Sequence, residues 1–86
     1  MTYKVRWQEE ALEDLLSLPK KNAEQIVKKV ETYLTQNPQN LGKALTGKFS
    51  GLYRYRMGDY RIIYEIIKQE LCIYVVHIGH RKDVYD

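Results

Sequence analysis

Hydrophobic and polar positions change period repeatedly along this chain, and each change marks an element. Tyr3-Lys4-Val5-Arg6-Trp7 alternates residue by residue, the period of a half-buried strand, with Tyr3, Val5 and Trp7 on one face. Over residues 8–18 the period lengthens to that of a helix, with Leu12, Leu15 and Leu16 as its expected buried stripe. Glu9 and Glu10 sit at its start, where acidic side chains meet the positive end of the helix dipole. Pro19 ends it, because proline cannot continue the hydrogen-bond ladder. A second helix is predicted over residues 20–36, since Ala23, Ile26, Val27, Val30, Tyr33 and Leu34 recur at helical spacing. Asn37-Pro38-Gln39-Asn40 stops it, and residues 41–50, with Gly42 and Gly47, read as a loop.

The longest alternating stretch covers residues 51–65 and folds back on itself at Gly58-Asp59, a turn pair suited to a β-hairpin. A two-residue loop pairs Met57 with Tyr60, Arg56 with Arg61 and Tyr55 with Ile62. One face then carries Tyr53, Tyr55, Met57, Tyr60, Ile62 and Tyr64, a surface made for a core. Tyr53, Tyr55 and Tyr64 are therefore expected under the helices, while Tyr60, at the turn, suits either core or ligand. The other face carries Leu52, Arg54, Arg56, Arg61, Ile63 and Glu65. Like charges placed opposite each other repel, so the Arg56/Arg61 pair points to an anion on this face. On the same ground, removing Arg61 is expected to relieve strain. The alternative is a solvated face that Glu65 partly neutralises. Residues 71–78 are apolar at almost every position, which predicts a central strand covered on both sides.

The expected fold is α+β. Two N-terminal helices pack on one face of a four-stranded, mainly antiparallel twisted sheet, and the arginine face is left partly open. The tail leaves the sheet at Gly79 and can bring Arg81 and Tyr85 over that face. Eighty-six residues make a single domain, 1–86. The net charge is only +3, so its placement matters more than its sum. One cysteine, Cys72, allows no internal disulfide and suits a reducing cytoplasm. The N-terminus has no apolar signal region and no run reaches membrane-spanning length, so no membrane partner is expected. Lys20, Lys21, Lys28 and Lys29 fall largely off the apolar stripe and read as a solvated helix surface, with a second phosphate contact as the alternative. His77, His80 and Asp83 are spaced too loosely to define a metal site, and neither metal nor cofactor is expected.

Leu52-Tyr53-Arg54-Tyr55-Arg56, Gly58-Asp59-Tyr60-Arg61-Ile62-Ile63-Tyr64 and Ile78-Gly79-His80-Arg81 with Tyr85 together resemble the RelE/ParE superfamily of bacterial toxins. The resemblance spans essentially the whole chain, with Tyr60-Arg61-Ile62-Ile63-Tyr64 its most specific part. That element is shared by RelE-like mRNA endonucleases and ParE-like gyrase inhibitors. Arg54, Arg56 and Arg61 with Arg81 and Tyr85 favour the RelE-like branch. The resemblance implies the toxin of a type II toxin–antitoxin module: a metal-independent, ribosome-dependent endoribonuclease that inhibits translation. The alternative is a ParE-like gyrase inhibitor without nuclease activity. Implied partners are a cognate antitoxin, mRNA in the ribosomal A site and ribosomal RNA.

By resemblance, Arg54 and Arg56 match positions that are commonly lysines binding the phosphate backbone, and Lys48 is grouped with them. Arginine at these positions keeps the charge and replaces a point charge with a fork. Arg61, Arg81 and Tyr85 match positions that act on the scissile phosphate. Several family members continue into a C-terminal helix beyond the point matching Asp86.

Metal-free RNA cleavage needs a base for the 2′-hydroxyl proton, positive charge for the pentacoordinate phosphate, and help for the 5′-oxygen. Guanidinium suits the second task. Tyr85 is the implied base, and its pKa must fall from about 10 for it to act at neutral pH. Arg81 is a poor proton donor and reads as leaving-group stabilisation. His80 competes for the proton-transfer role, whereas His77, inside the last strand, reads as structural.

Overall fold

Tyr64 stands at the centre of the molecule. The computed structural model describes residues 2–80, and within them Tyr64 is fully buried, its hydroxyl donating to the Pro38 carbonyl at 2.6 Å. It lies on a strand over Tyr60–Ile67 within a five-stranded mixed sheet. In chain order the strands are β1 (Lys4–Trp7), β2 (Lys43–Ala44), β3 (Tyr53–Met57), β4 (Tyr60–Ile67) and β5 (Cys72–Gly79). Their order across the sheet is β1-β5-β4-β3-β2. The helices are α1 (Glu9–Leu16), α2 (Lys20–Thr32) and a short α3 (Pro38–Leu41).

The hairpin register matches the expectation: Tyr53 opposes Tyr64, Tyr55 opposes Ile62, Arg56 opposes Arg61 and Met57 opposes Tyr60. Gly58, at φ 60°, supplies the left-handed conformation that the turn requires. The core gathers Ile26, Val30, Leu34, Ile62, Tyr64, Ile73 and Val75 between helices and sheet, with Tyr53 and Tyr55 packed against it. β5 is central, between β1 and β4, as its unbroken apolar run implies.

Four expectations change. The sheet has five strands, because Lys43–Ala44, in the segment read as a loop, pairs with Tyr53 and Arg54. Both residues are exposed, so no apolar alternation marks the strand. The sheet is mixed, since β1 runs parallel to β5, with Lys4 opposite Cys72 and Trp7 opposite Val75. Among the described residues there are three α-helices. Pro38 interrupts the helical run and also starts α3 as its first residue, where a missing N–H costs nothing. Finally, α1 buries a different stripe. Ala11 is fully buried and Leu15 and Leu18 pack on the core, while Leu12 and Leu16 are 46% and 85% exposed. Of the expected stripe Leu15 alone faces the core, so the buried face is rotated from the one that periodicity favours.

β5 outruns β1, and α1 fills the vacated edge. Gln8 N–H donates to the Val75 carbonyl at 2.9 Å, and Ile78 N–H donates to the Asp14 carboxylate at 2.9 Å. A bulge next to Ile63 and Tyr64 pairs them with His77 and Val75, leaving Val76 between. The extra residue shifts the alternation, so Val75 and Ile78 both reach the core although three apart. Cys72 is buried with a free thiol. No helix among the described residues is long and apolar enough to cross a membrane.

Gly42 passes close against the hydroxyl end of Tyr64, and a Cβ there would clash with the Tyr64 hydroxyl and crowd the Arg54 carbonyl. Gly42→Ala is expected to cost about 1–3 kcal/mol of stability by overpacking. Tyr64→Phe should cost about 1–3 kcal/mol, because the buried Pro38 carbonyl loses its donor. The double variant should lose less than the sum, since removing the hydroxyl clears the main clash. Urea denaturation of the three proteins checks this, and strict additivity would refute it. The Tyr64 hydroxyl is held well above the ordinary tyrosine range, first by burial and then by Tyr53 and Tyr55. The folded state thus keeps a proton that the unfolded chain releases near pH 10. Stability from this group is complete below about pH 10 and falls as pH rises beyond it, by up to about 1.4 kcal/mol per pH unit. The alkaline decline should be shallower in Tyr64→Phe.

Candidate functional site

Arg54 and Arg56 project from β3 and Arg61 from β4, on the sheet face opposite the helices. Strand alternation puts all three there, and tertiary packing then gives them different depths. Arg56 is exposed, Arg54 half-buried and Arg61 only 6% exposed. Arg61 Nη1 donates to the His80 carbonyl at 3.1 Å, just past the end of β5, where Arg61 itself pairs with Gly79. One deep and one shallow guanidinium repel less than two lying side by side, because water screens the outer one. This turns round the expectation that removing Arg61 would stabilise the sheet: it is a buried, hydrogen-bonded cation.

His80 carries the other half of the site. Its ring packs against Tyr60 with centroids 5.0 Å apart and planes at 42°. Tyr60 is fixed in turn by Asn22, whose Nδ2 donates to the Tyr60 hydroxyl at 2.8 Å. His80 therefore joins the two faces at this end of the sheet, carbonyl to Arg61 and ring to Tyr60. Lys48 is exposed on the turn before β3, its Nζ 5.4 Å from the Phe49 ring centroid. No contact between Lys48 and the arginine cluster is among those described. Arg81 and Tyr85 lie outside the described residues.

His77 is engaged elsewhere. Its Nδ1 lies 2.8 Å from an Asp14 carboxylate oxygen and 3.0 Å from one of Glu10. These three groups hold their ligand atoms within 4.8 Å of one another. Zinc at tetrahedral angles and bonds of about 2.0–2.1 Å would space its ligands about 3.3 Å apart. The observed separations are those of hydrogen bonds, and Asp14 already accepts from Ile78. The cluster is a polar clamp joining α1 to β5. The grouping of His77 with His80 and Asp83 does not describe it, since His77 faces α1, His80 faces Tyr60 and Asp83 lies outside the described residues.

Sequence reasoning missed Asn22, Asp14 and Gly42. Nothing in the sequence marks Asn22 or Asp14, because each meets a partner more than thirty-five residues away. Gly42 was visible only as a loop glycine.

A family model for the ParE toxin of the type II toxin–antitoxin system parDE matches residues 5–85. The chain is 31% identical to toxin RelG of Mycobacterium tuberculosis over 85 residues, covering 99% of this chain and 98% of RelG. It is 39% identical to toxin RelE of the same organism over 75 residues, covering 87% of this chain and 77% of that toxin. Its fold superposes on a chain of the toxin–antitoxin complex RelBE2 from M. tuberculosis with a TM-score of 0.91 at 29% identity, over 96% of this chain and 95% of the other.

The depth difference predicts different responses to truncation. Arg61→Ala is expected to lose about 1–3 kcal/mol, from the buried charged hydrogen bond and its packing. That corresponds to a Tm drop of roughly 4–8 °C for each kcal/mol in a domain of this size. Arg56→Ala should stay within about 0.5 kcal/mol of the parent. Calorimetry showing equal effects would contradict the burial difference.

Proposed function

The chain belongs to the ParE toxin family of type II toxin–antitoxin systems, with RelE-type toxins among its relatives, and from this we propose that it is a metal-independent endoribonuclease that cuts mRNA in the ribosomal A site. The observation that carries this reading is a buried guanidinium, Arg61, on the same sheet face as the shallower Arg54 and Arg56. A fixed buried cation suits charge that develops only in a transition state, because it needs no reorganisation when the charge appears. Exposed arginines suit ground-state attraction of a phosphate backbone.

The 2′-oxygen attacks the adjacent phosphorus, the bond to the 5′-oxygen breaks, and a 2′,3′-cyclic phosphate forms. Arg61 neutralises the pentacoordinate phosphate, and Arg54, Arg56 and Lys48 hold the strand. By resemblance, Tyr85 takes the 2′-hydroxyl proton and Arg81 stabilises the departing 5′-oxygen. His80 is the second candidate for proton transfer; its carbonyl accepts from Arg61, while its ring packs on Tyr60. The proposed partner is a cognate antitoxin with an acidic and apolar binding segment. Its acidic part complements the arginine face. Its apolar part fits the groove between α1 and α2, where Leu12, Leu16 and Val27 stand exposed or half-exposed.

Induction in bacteria followed by mapping of mRNA 5′ ends, beside a DNA-supercoiling assay, tests the reading. New 5′ ends within coding regions are expected, with supercoiling unchanged. Gyrase inhibition without new ends would replace the nuclease with the gyrase-inhibitor alternative. Arg61→Lys keeps the charge and loses the fork, and should slow cleavage about 10²-fold. Arg54→Ala and Arg56→Ala should each lower the salt slope of RNA binding by about one. Full toxicity of Arg61→Ala, expressed at the parental level, would sink the assignment.

A further inference from the structure

At the end of the sheet where β3 turns into β4, a cleft of about 450 Å³ opens between the hairpin and α2. Asn22 and Gln25 line it from the helix, Met57, Asp59 and Tyr60 from the hairpin, and His80 from the end of β5. None of its lining residues among those described is a lysine or arginine. Among the described residues the charged group a phosphate would meet there is the Asp59 carboxylate, which disfavours it. The lining does match a nucleobase. The Tyr60 and His80 rings and the Met57 thioether offer an apolar, polarisable surface for a π-face. The Asn22 and Gln25 amides and the Asp59 carboxylate offer donors and acceptors for a base edge. The platform is held in place, since Asn22 fixes the Tyr60 hydroxyl at 2.8 Å and His80 packs on the ring at 5.0 Å.

Position links the cleft to the arginines. Tyr60 and Arg61 are consecutive on β4, so they lie about 3.3 Å apart along the strand and face opposite sides. His80 bridges them, its carbonyl on Arg61 and its ring on Tyr60. A single RNA strand with a phosphate at Arg61 would pass over the tip of the hairpin beside the mouth of the cleft.

The geometry points to this cleft as a nucleobase subsite that seats a base flanking the scissile phosphate and sets the sequence preference of cleavage. The inference rests on the RNA-cleavage reading above. It identifies Gln25 and Asp59, both exposed and outside the arginine cluster, as residues that read the base.

The test maps cut sites in an mRNA library randomised around the cleavage position, translated in a reconstituted system, with kcat and KM measured on one preferred sequence. The parent protein should show a base preference at one position next to the cut. Gln25→Ala/Asp59→Asn should flatten that preference and raise KM about tenfold, the loss expected from base-edge contacts. The effect on kcat should be smaller, and Tm should match the parent because both side chains are exposed. Tyr60→Leu, which removes the stacking surface, should raise KM for all sequences alike. An unchanged preference and KM in the Gln25/Asp59 variant overturns the subsite while leaving the nuclease reading intact. A loss confined to kcat also overturns it, since the cleft would then be orienting catalytic groups. No cleavage by the parent protein in any context overturns the nuclease reading and the subsite together.

Discussion

The hydrogen bond from the Tyr64 hydroxyl to the Pro38 carbonyl is the contact around which the sheet is assembled. Tyr64 sits on β4, with β3 on one side and β5 on the other. Its ring stacks on Tyr53 of β3 at 5.7 Å and 18°, and its hydroxyl reaches the segment that leaves α2. A buried phenol without a partner would cost several kcal/mol, and a buried carbonyl without a donor costs similarly. The two groups satisfy each other only when the chain beyond α2 lies close over the sheet. Gly42 permits that approach, and β2 then joins β3 at the sheet edge. The exit from α2, α3 and β2 thus all lie around one buried hydroxyl.

The same economy governs the arginine face. Arg56 and Arg61 are directly opposed in register, an arrangement that repulsion disfavours. Depth resolves it, with Arg56 in water and Arg61 buried against the His80 carbonyl. The result is a graded cluster, in which outer cations attract and an inner one is fixed. At the opposite edge, Asp14 resolves a different problem. β5 extends past β1, so the Ile78 N–H would be unpaired without a local acceptor. Asp14 supplies it and also meets His77, which keeps α1 against the strand.

Much of this protein was legible in the residues themselves. Period-two alternation around Gly58-Asp59 determined the hairpin, its register and the faces of its tyrosines and arginines, because a tight turn and a strict repeat leave little freedom. The apolar run of residues 71–78 determined a central strand for the same reason. The family resemblance was carried by the hairpin and the start of the tail, both local patterns. What only the tertiary structure decided depends on contacts between distant residues. The parallel pairing of β1 with β5 joins residues nearly seventy positions apart, and two-residue β2 exists only because β3 lies beside it. Which side of α1 faces inward was set by Ala11, small enough to sit close to the sheet, against a stripe of leucines that periodicity alone favoured. The depth of Arg61 and the cleft between α2 and the hairpin arise where three elements converge. No local pattern encodes that convergence, because its energy resides in burial and not in sequence spacing.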